Sequence, residues 1–309
     1  DEIKNYKKKS TPLLERGKRA ITGYAIINFS GPIDYVIITN SEFRDYSGEN
    51  NLQDLLNKKQ EKGLTGTIVT VEEIYSDYSG RDNQEKIRNF IKDAYLDWNT
   101  QYVLLVGDAD GSDVGGDSGD NIVPIRKLWV KKYNDNWEFI PSDVYYSNLD
   151  GSFDFDGDNF FGEQNDGIEG GEVDLIADVY VGRAPVDSTT ELSNFVKKTL
   201  LYESASEQND AYLNNILMVG EFLGFGGISD YAKSSMEEIR LGSSNHGYTT
   251  TGFEELGIYN IDTLYDQDYT WSKSTLISKI NDNLMALNHL GHANVDYVMK
   301  MYNNDADSL

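Results

Sequence analysis

The sequence contains no cysteine. That excludes a disulfide, a thiolate metal site and a thiol nucleophile within these residues. Basic side chains are scarce: 27 Lys and Arg stand against 52 Asp and Glu, a formal net charge of −25. Such an excess of carboxylates argues against nucleic acid or an anionic membrane as partner. It suits a cation-binding protein, or a secreted one in a salty or calcium-rich medium. No apolar run reaches the roughly 18 residues that a spanning helix needs, so no membrane span is expected. No signal-peptide pattern heads these residues, and a secreted protein would have lost one before this numbering begins. Histidine is rare as well, with three in 309 residues.

Two of those histidines lie in one stretch, Ala286-Leu287-Asn288-His289-Leu290-Gly291-His292-Ala293-Asn294. An apolar run from Leu284 to Leu287 leads into them. A buried strand that ends at a site has this form: the strand fixes the backbone and the following loop presents polar groups. Imidazole titrates nearest neutrality, so a histidine held there can serve as general base or acid. The competing expectation is a pair of satisfied structural histidines. His246, in a Ser-Asn-His-Gly turn, carries no such signal.

With 39% hydrophobic residues, including 21 Tyr and 12 Phe, the chain has enough apolar surface for a real core. Its length suits one large or two medium domains. Residues 1–30 read as an extension, possessing a basic island (Lys7-Lys8-Lys9, Arg16, Lys18-Arg19) broken by Pro12 and Gly17. They are expected to be a solvated arm, or a segment cut or clamped by something that recognises basic residues. From Asp34 onward the pattern alternates. Tyr35–Thr39, Thr67–Val71 and Tyr102–Val106 are expected strands; Leu52, Leu55 and Leu56, then Ile87, Phe90, Ile91, Ala94 and Tyr95, mark helices between them. Strand and helix in alternation mean βαβ units, a parallel sheet and right-handed crossovers.

A Gly/Asp loop follows, Asp108 to Asp120, then expected strands near 125–133 and 143–146. Within Asp150–Asp158, carboxylates alternate around Gly157, and Glu163 lies shortly after. Hard cations take many oxygen ligands from such a turn, so Asp154, Asp156, Asp158 and Glu163 are expected to hold calcium. This is not an EF-hand, because Asn159 replaces the turn glycine and Glu163 arrives too early. A merely solvated acidic loop is the alternative, though carboxylates packed this densely repel without a cation. Residues 173–182 are expected to form a further strand closing on Gly182-Arg183, and Leu192–Tyr202 a helix.

A polar link, Ser204 to Asp210, separates this from a second series. Ile216–Gly220 and Ile261–Tyr265 are expected strands, Asp230–Leu241 and Trp271–Ile280 expected helices. Gly224, Gly226 and Gly227 have the composition of a dinucleotide fingerprint at the wrong spacing, which argues against a nucleotide site.

Several stretches together resemble the gingipain-type cysteine peptidases, whose catalytic fold is caspase-like. They are Tyr102-Val103-Leu104-Leu105-Val106-Gly107-Asp108, Val179-Tyr180-Val181-Gly182-Arg183 with its following helix to Tyr202-Glu203, and Gly291-His292-Ala293. The resemblance runs from about Asp34 to the C-terminus. It implies an α/β fold of two adjacent three-layer subdomains with mostly parallel sheets, the first at 31–205 with the acidic calcium-binding insertion and the second, caspase-like one at 206–309. It implies that His292 is the catalytic histidine. Glu221 matches the carboxylate that orients that histidine, and an anion beside an imidazole does fix its tautomer and stabilise the imidazolium. Asp230 matches the floor of the S1 pocket in arginine-specific members, where it would pair with a basic P1 side chain; a helix N-cap is an equally natural role for it. Ala293 stands where the family has a glycine whose N–H helps form the oxyanion hole, and the donor survives if the alanine backbone tolerates the position. His289 has no catalytic counterpart and is expected to be structural.

The family's cysteine should follow a further strand beyond His292. The nucleophile is therefore expected on a separate C-terminal chain or fragment of the same precursor, and the whole is expected to be an extracellular or cell-surface endopeptidase cleaving after Arg or Lys. The rival expectation is a calcium-stabilised surface or binding module with a peptidase-derived fold and no catalysis.

Overall fold

The β-branched run Tyr35–Thr39 forms β1, with Val36, Ile37 and Ile38 fully buried, as a strand covered on both faces requires. The protein is described here by a computed structural model covering residue 27 and residues 31–110, 120–131, 137–163, 173–208, 211–245, 247, 249–294 and 296–309. The basic island and His246 lie outside the described residues. The chain divides into two compact units, Asp1–Leu201 and Tyr202–Leu309.

In the first unit, α1 (Ser41–Asp45) and α2 (Leu52–Glu61) follow β1. Leu52, Leu55 and Leu56 make the buried face of α2, and Asn51 and Asp54 close its N-terminus as a capping box. β2 runs Gly66–Thr70, starting and ending one residue before the expected Thr67–Val71, because Thr70 caps a helix that the strand-like run concealed. The Thr70 hydroxyl accepts from Glu73 N, and the Glu73 carboxylate accepts from Thr70 N at 2.8 Å; Val71 thereby opens α3 (Val71–Asp77). Next comes α4 (Asn83–Asp93), with the expected helical positions Ala94 and Tyr95 in a π-helical turn at Ala94–Trp98, and then β3 (Tyr102–Val106) where the apolar run places it. The first expected strand after the Gly/Asp loop is β4 (Arg126–Lys131).

The strand expected at 143–146 is a correction. The strand is β5 (Trp137–Ser142), antiparallel to β4, while Val144–Ser147 is a helical turn, α5. Packing overrides the β-preference of Val-Tyr-Tyr. The guanidinium carbons of Arg88 and Arg126 stand 4.8 and 4.4 Å from the centre of the buried Tyr145 ring, and the Tyr146 hydroxyl donates to Pro124 O. Leu175 and Ile176, also read as strand, are exposed, since the backbone around them bonds to the end of α5: Asn148 Nδ2 donates to Ile176 O, and Asp178 N and Val179 N to Ser147 O. The strand begins only at β6 (Tyr180–Ala184). The sheet order is β2-β1-β3-β6, all parallel, and α6 (Thr189–Gln208) follows. Ile27 is buried in the core of this unit, its N–H donating to Asp77 Oδ2 at 2.9 Å.

Three parallel strands in the order β8-β7-β9 form the second unit's main sheet: β7 (Asn215–Gly220), β8 (Asn260–Tyr265) and β9 (Ala286–Leu290), joined by α7 (Lys233–Leu241) and α8 (Lys273–Ile280). Side chains of central β7 alternate between two cores, as a two-residue period demands. Leu217 and Val219 pack with Leu276 of α8 and with Trp271, whereas Ile216 and Met218 pack with Met236 of α7. One helix therefore covers each face, making three layers. Short antiparallel strands β10 (Ala293–Asn294), β11 (Tyr297–Val298) and β12 (Met301–Tyr302) follow, and then a 3₁₀ helix at Asn303–Ser308.

Candidate functional site

Because β7 and β9 are parallel neighbours in the register Val219↔His289 and Gly220↔Leu290, the residues that follow them emerge side by side. Glu221 and Gly291 would be the next pair, and Glu221 N donates to Leu290 O at 3.0 Å, which prolongs the ladder by one step. The alternation of faces puts Glu221 and His289 on the side of Val219. The C-terminal ends of parallel strands are where α/β sheets place their sites.

Glu221 is the centre of the cluster, with 3% of its surface exposed. His289 Nε2 lies 3.1 Å from Oε1. The His292 N–H donates to Oε2 at 3.1 Å, and the His292 ring presents Nδ1 to the same oxygen at 3.6 Å. Burial pushes the Glu221 carboxyl up, but the His289 ring, the His292 N–H and the charge of Lys300 outweigh it and hold the group below its usual value of 4.5. It is an anion at neutral pH. The His292 side chain is 59% exposed, so its far edge is open to solvent. This arrangement can fix one imidazole tautomer, with Nδ1–H toward the carboxylate, and stabilise the imidazolium.

Two neighbours unseen in the sequence brace the cluster. Asp266, just past β8, accepts Phe222 N on Oδ2 at 3.1 Å and Lys300 Nζ on Oδ1 at 2.6 Å. Lys300 also donates to Trp271 O and stands 3.8 Å from the centre of the Trp271 ring. The β11–β12 turn that carries Lys300 has Met299 and Lys300 both left-handed, φ 53° and 61°. Side chains other than Gly, Asn and Asp seldom adopt that conformation, and the Lys300 contacts hold it in place. Ala293 opens β10, exposed. It is not among the positive-φ residues, so the methyl group at this position carries no left-handed strain.

Asp230 closes the loop after Glu221. Its carbonyl accepts from Leu223 N and Gly224 N, and its Oδ1 accepts from Gly226 N at 3.0 Å. The N-cap alternative is not realised, since α7 starts at Lys233 after Ala232, which makes no side-chain cap.

The expected cation ligands divide. Carboxylate oxygens of Asp154, Asp156 and Asp158 lie within 4.8 Å of one another. Backbone N–H groups of Asp158 and Phe160 wrap Asp156 and Asp158, and Asp154 accepts from Asn159 N and pairs with Arg81. Glu163 is buried and stands outside that cluster. The geometry of the three aspartates suits a hard cation, with the Arg81 guanidinium as its competitor at Asp154. In a second group, Asp108, Asp120 and Asp187, the carboxylate oxygens also lie within 4.8 Å of one another. Burial, then the charges of Asp110 and Asp187, pushes the Asp108 carboxyl up to about 6. Arg183 of the Gly-Arg motif proves structural: it forms a two-pronged pair with Asp143 and donates to Gly107 O and Val123 O.

Among the described residues no helix is long and apolar enough to cross a membrane. No curated protein matches the chain in sequence. Two solved structures share its fold. The complex of Porphyromonas gingivalis RgpB pro- and mature domains aligns with a TM-score of 0.57 at 17% identity, over 89% of this chain and 52% of that one. The Arg-specific cysteine proteinase gingipain R aligns with a TM-score of 0.56 at 17% identity, over 90% of this chain and 51% of that one. The chain thus spans about half the length of the solved chains it matches. Together with the parallel sheets, these likenesses make the fold the gingipain-like, caspase-like α/β fold that the motifs imply. The model of peptidase family C25 matches residues 29–309, and the chain is a member of that family, the gingipain-type peptidases.

Proposed function

We propose that this chain carries the histidine–carboxylate part of a cysteine endopeptidase site and works with a cysteine-bearing C-terminal chain of the same precursor. The observation that carries this reading is the buried, ionised Glu221 facing both the N–H and Nδ1 of the exposed His292. Membership of a cysteine-peptidase family supports it. A thiolate from the partner segment attacks the scissile carbonyl, and the negative charge moves to the carbonyl oxygen, where the Ala293 N–H steadies it. The His292 imidazolium, stabilised by Glu221, gives its Nε2 proton to the leaving amine, and a thioester forms. Water then attacks that thioester, His292 takes its proton, and acid product and thiolate are released.

Asp230 is the proposed recognition group for a basic P1 side chain, and the Arg specificity named for the similar gingipain R structure fits that choice. Cleavage after Arg or Lys, and processing of the precursor, belong to this proposal; the solved pairing of pro- and mature domains fits a protein made as a precursor. An extracellular or cell-surface location agrees with the acidic composition. Asp154, Asp156 and Asp158 are proposed to bind a structural calcium ion.

The test is hydrolysis of Arg-P1 and Lys-P1 amides by the complete protein and its variants. His292→Ala is expected to lower kcat by at least about 1,000-fold. Asp230→Asn is expected to lower kcat/KM for basic substrates about 100-fold while sparing others. Full amidase activity in His292→Ala would sink the reading and leave the fold as a binding module.

A further inference from the structure

We infer that His289 is a positioning residue: it holds the Glu221 carboxylate in the rotation that serves His292. Its kinetic consequence rests on the peptidase reading above; its geometry does not.

A carboxylate has two oxygens and a final torsion that is broad and roughly two-fold, so one hydrogen bond does not fix its plane. At Glu221, Oε2 is engaged by His292, through N–H at 3.1 Å and Nδ1 at 3.6 Å. Oε1 has His289 Nε2 at 3.1 Å. Because Glu221 is ionised and can only accept, Nε2 carries the proton and donates. The backbone gives His289 little freedom: it lies in β9 opposite Val219, and its side chain is 13% exposed. Gly291 closes the arrangement from above, since a Cβ there would stand 2.4 Å from His289 Nε2 and 2.5 Å from the Glu221 carboxyl carbon. The two imidazoles thus divide one carboxylate. The buried one is a clamp and the exposed one is free to work.

The experiment compares His289→Phe, which keeps a ring but has no donor, with His289→Gln, which keeps an N–H donor on a flexible arm, in the complete cysteine-bearing protein. Two quantities are read: amidase kinetics, and hydrogen exchange across residues 286–294. His289→Phe is expected to lower kcat about 10- to 100-fold, with KM changed by less than about twofold. His289→Gln is expected to recover most of the loss. Exchange at the His292 amide is expected to quicken about tenfold in His289→Phe, but not in His289→Gln, because that amide loses a fixed acceptor. Unchanged kcat and exchange in His289→Phe, with Glu221→Gln still inactive, overturns the inference and leaves the Glu221–His292 reading standing. If Glu221→Gln and His292→Ala retain full activity, the peptidase reading fails instead, and the exchange result alone decides for or against the clamp.

Discussion

Gly291 packs so tightly on Glu221 that any side chain would displace the carboxylate: the nearest atoms to an added Cβ, His289 Nε2 and the Glu221 carboxyl carbon, lie at 2.4 and 2.5 Å. The glycine is needed for close approach, and its place beside Glu221 in the ladder explains why. Gly291→Ala is expected to destabilise the fold by about 1–3 kcal/mol, the usual cost of overpacking, and to quicken exchange at the His292 amide. Urea denaturation gives the first quantity. A loss below a few tenths of a kcal/mol would show that the carboxylate relaxes freely.

Arg126 is buried and grips Asp82 with two hydrogen bonds of 2.7 and 2.8 Å, while its guanidinium faces Phe161 at 3.7 Å and Tyr145 at 4.4 Å. Arg126→Ala takes the guanidinium from Asp82, which keeps its cap bond from Glu85 N, and leaves Tyr145 with an empty flank. The Asp82 side chain is 37% exposed, so the expected cost is that of the lost charged hydrogen bonds, about 1.5–3 kcal/mol, measured by chemical denaturation. Arg126→Lys should recover only part of it, because an ammonium cannot make the two-pronged pair.

Asp108 gives the pH prediction. Its folded value of about 6 lies above the ordinary 3.8, so the fold binds its proton more tightly than the unfolded chain does. Ionisation therefore weighs against folding, fully above pH 6 and not at all below pH 3.8. In chelator, Asp108→Asn is expected to melt higher than the wild type above pH 6 and at the same temperature below pH 3.8. Calorimetry across that window checks the sign; an Asn variant that melts lower above pH 6 contradicts it.

Calcium at about 100 times its Kd is expected to stabilise the protein by about 2.7 kcal/mol through simple linkage. Chelation should reverse the gain. Asp156→Asn and Asp158→Asn should each reduce it, whereas Glu163→Gln should spare it, since Glu163 stands outside the aspartate group. Melting temperatures that ignore calcium and chelator alike would remove the proposal.

Much of this was readable from residue order. Continuous apolar runs at Tyr35, Tyr102 and Ile216 fall on β1, β3 and β7, because a strand buried on both faces has no room for polar side chains. The apolar run into the histidines falls on β9, with His292 just past its end. Yet β9 lies at an edge of the described sheet with its residues half-buried or exposed, so it is not the buried strand that the run implies. A local signal for α3 was present too, in Thr70-Val71-Glu72-Glu73, yet the β-branched run ahead of it masked the capping box. Other features had no local signal. That Tyr145 packs against two guanidiniums depends on Arg88 and Arg126, neither of them near it in sequence. The role of His289 depends on the register of β9 against β7, which spacing along one strand cannot reveal. Asp230 offered two chemically reasonable roles, and only the helix start at Lys233 removes the capping one.

Glu221 and His292 are 71 residues apart in the chain, and α7, β8 and α8 lie between them. Neither strand holds both partners, and contacts that close loops of such length carry a loop-closure cost that slows folding. The carboxylate-backed histidine is therefore a product of the finished sheet: any nascent or partly unfolded state in which β9 has not docked beside β7 has an ordinary glutamate and an ordinary histidine, and nothing that couples them.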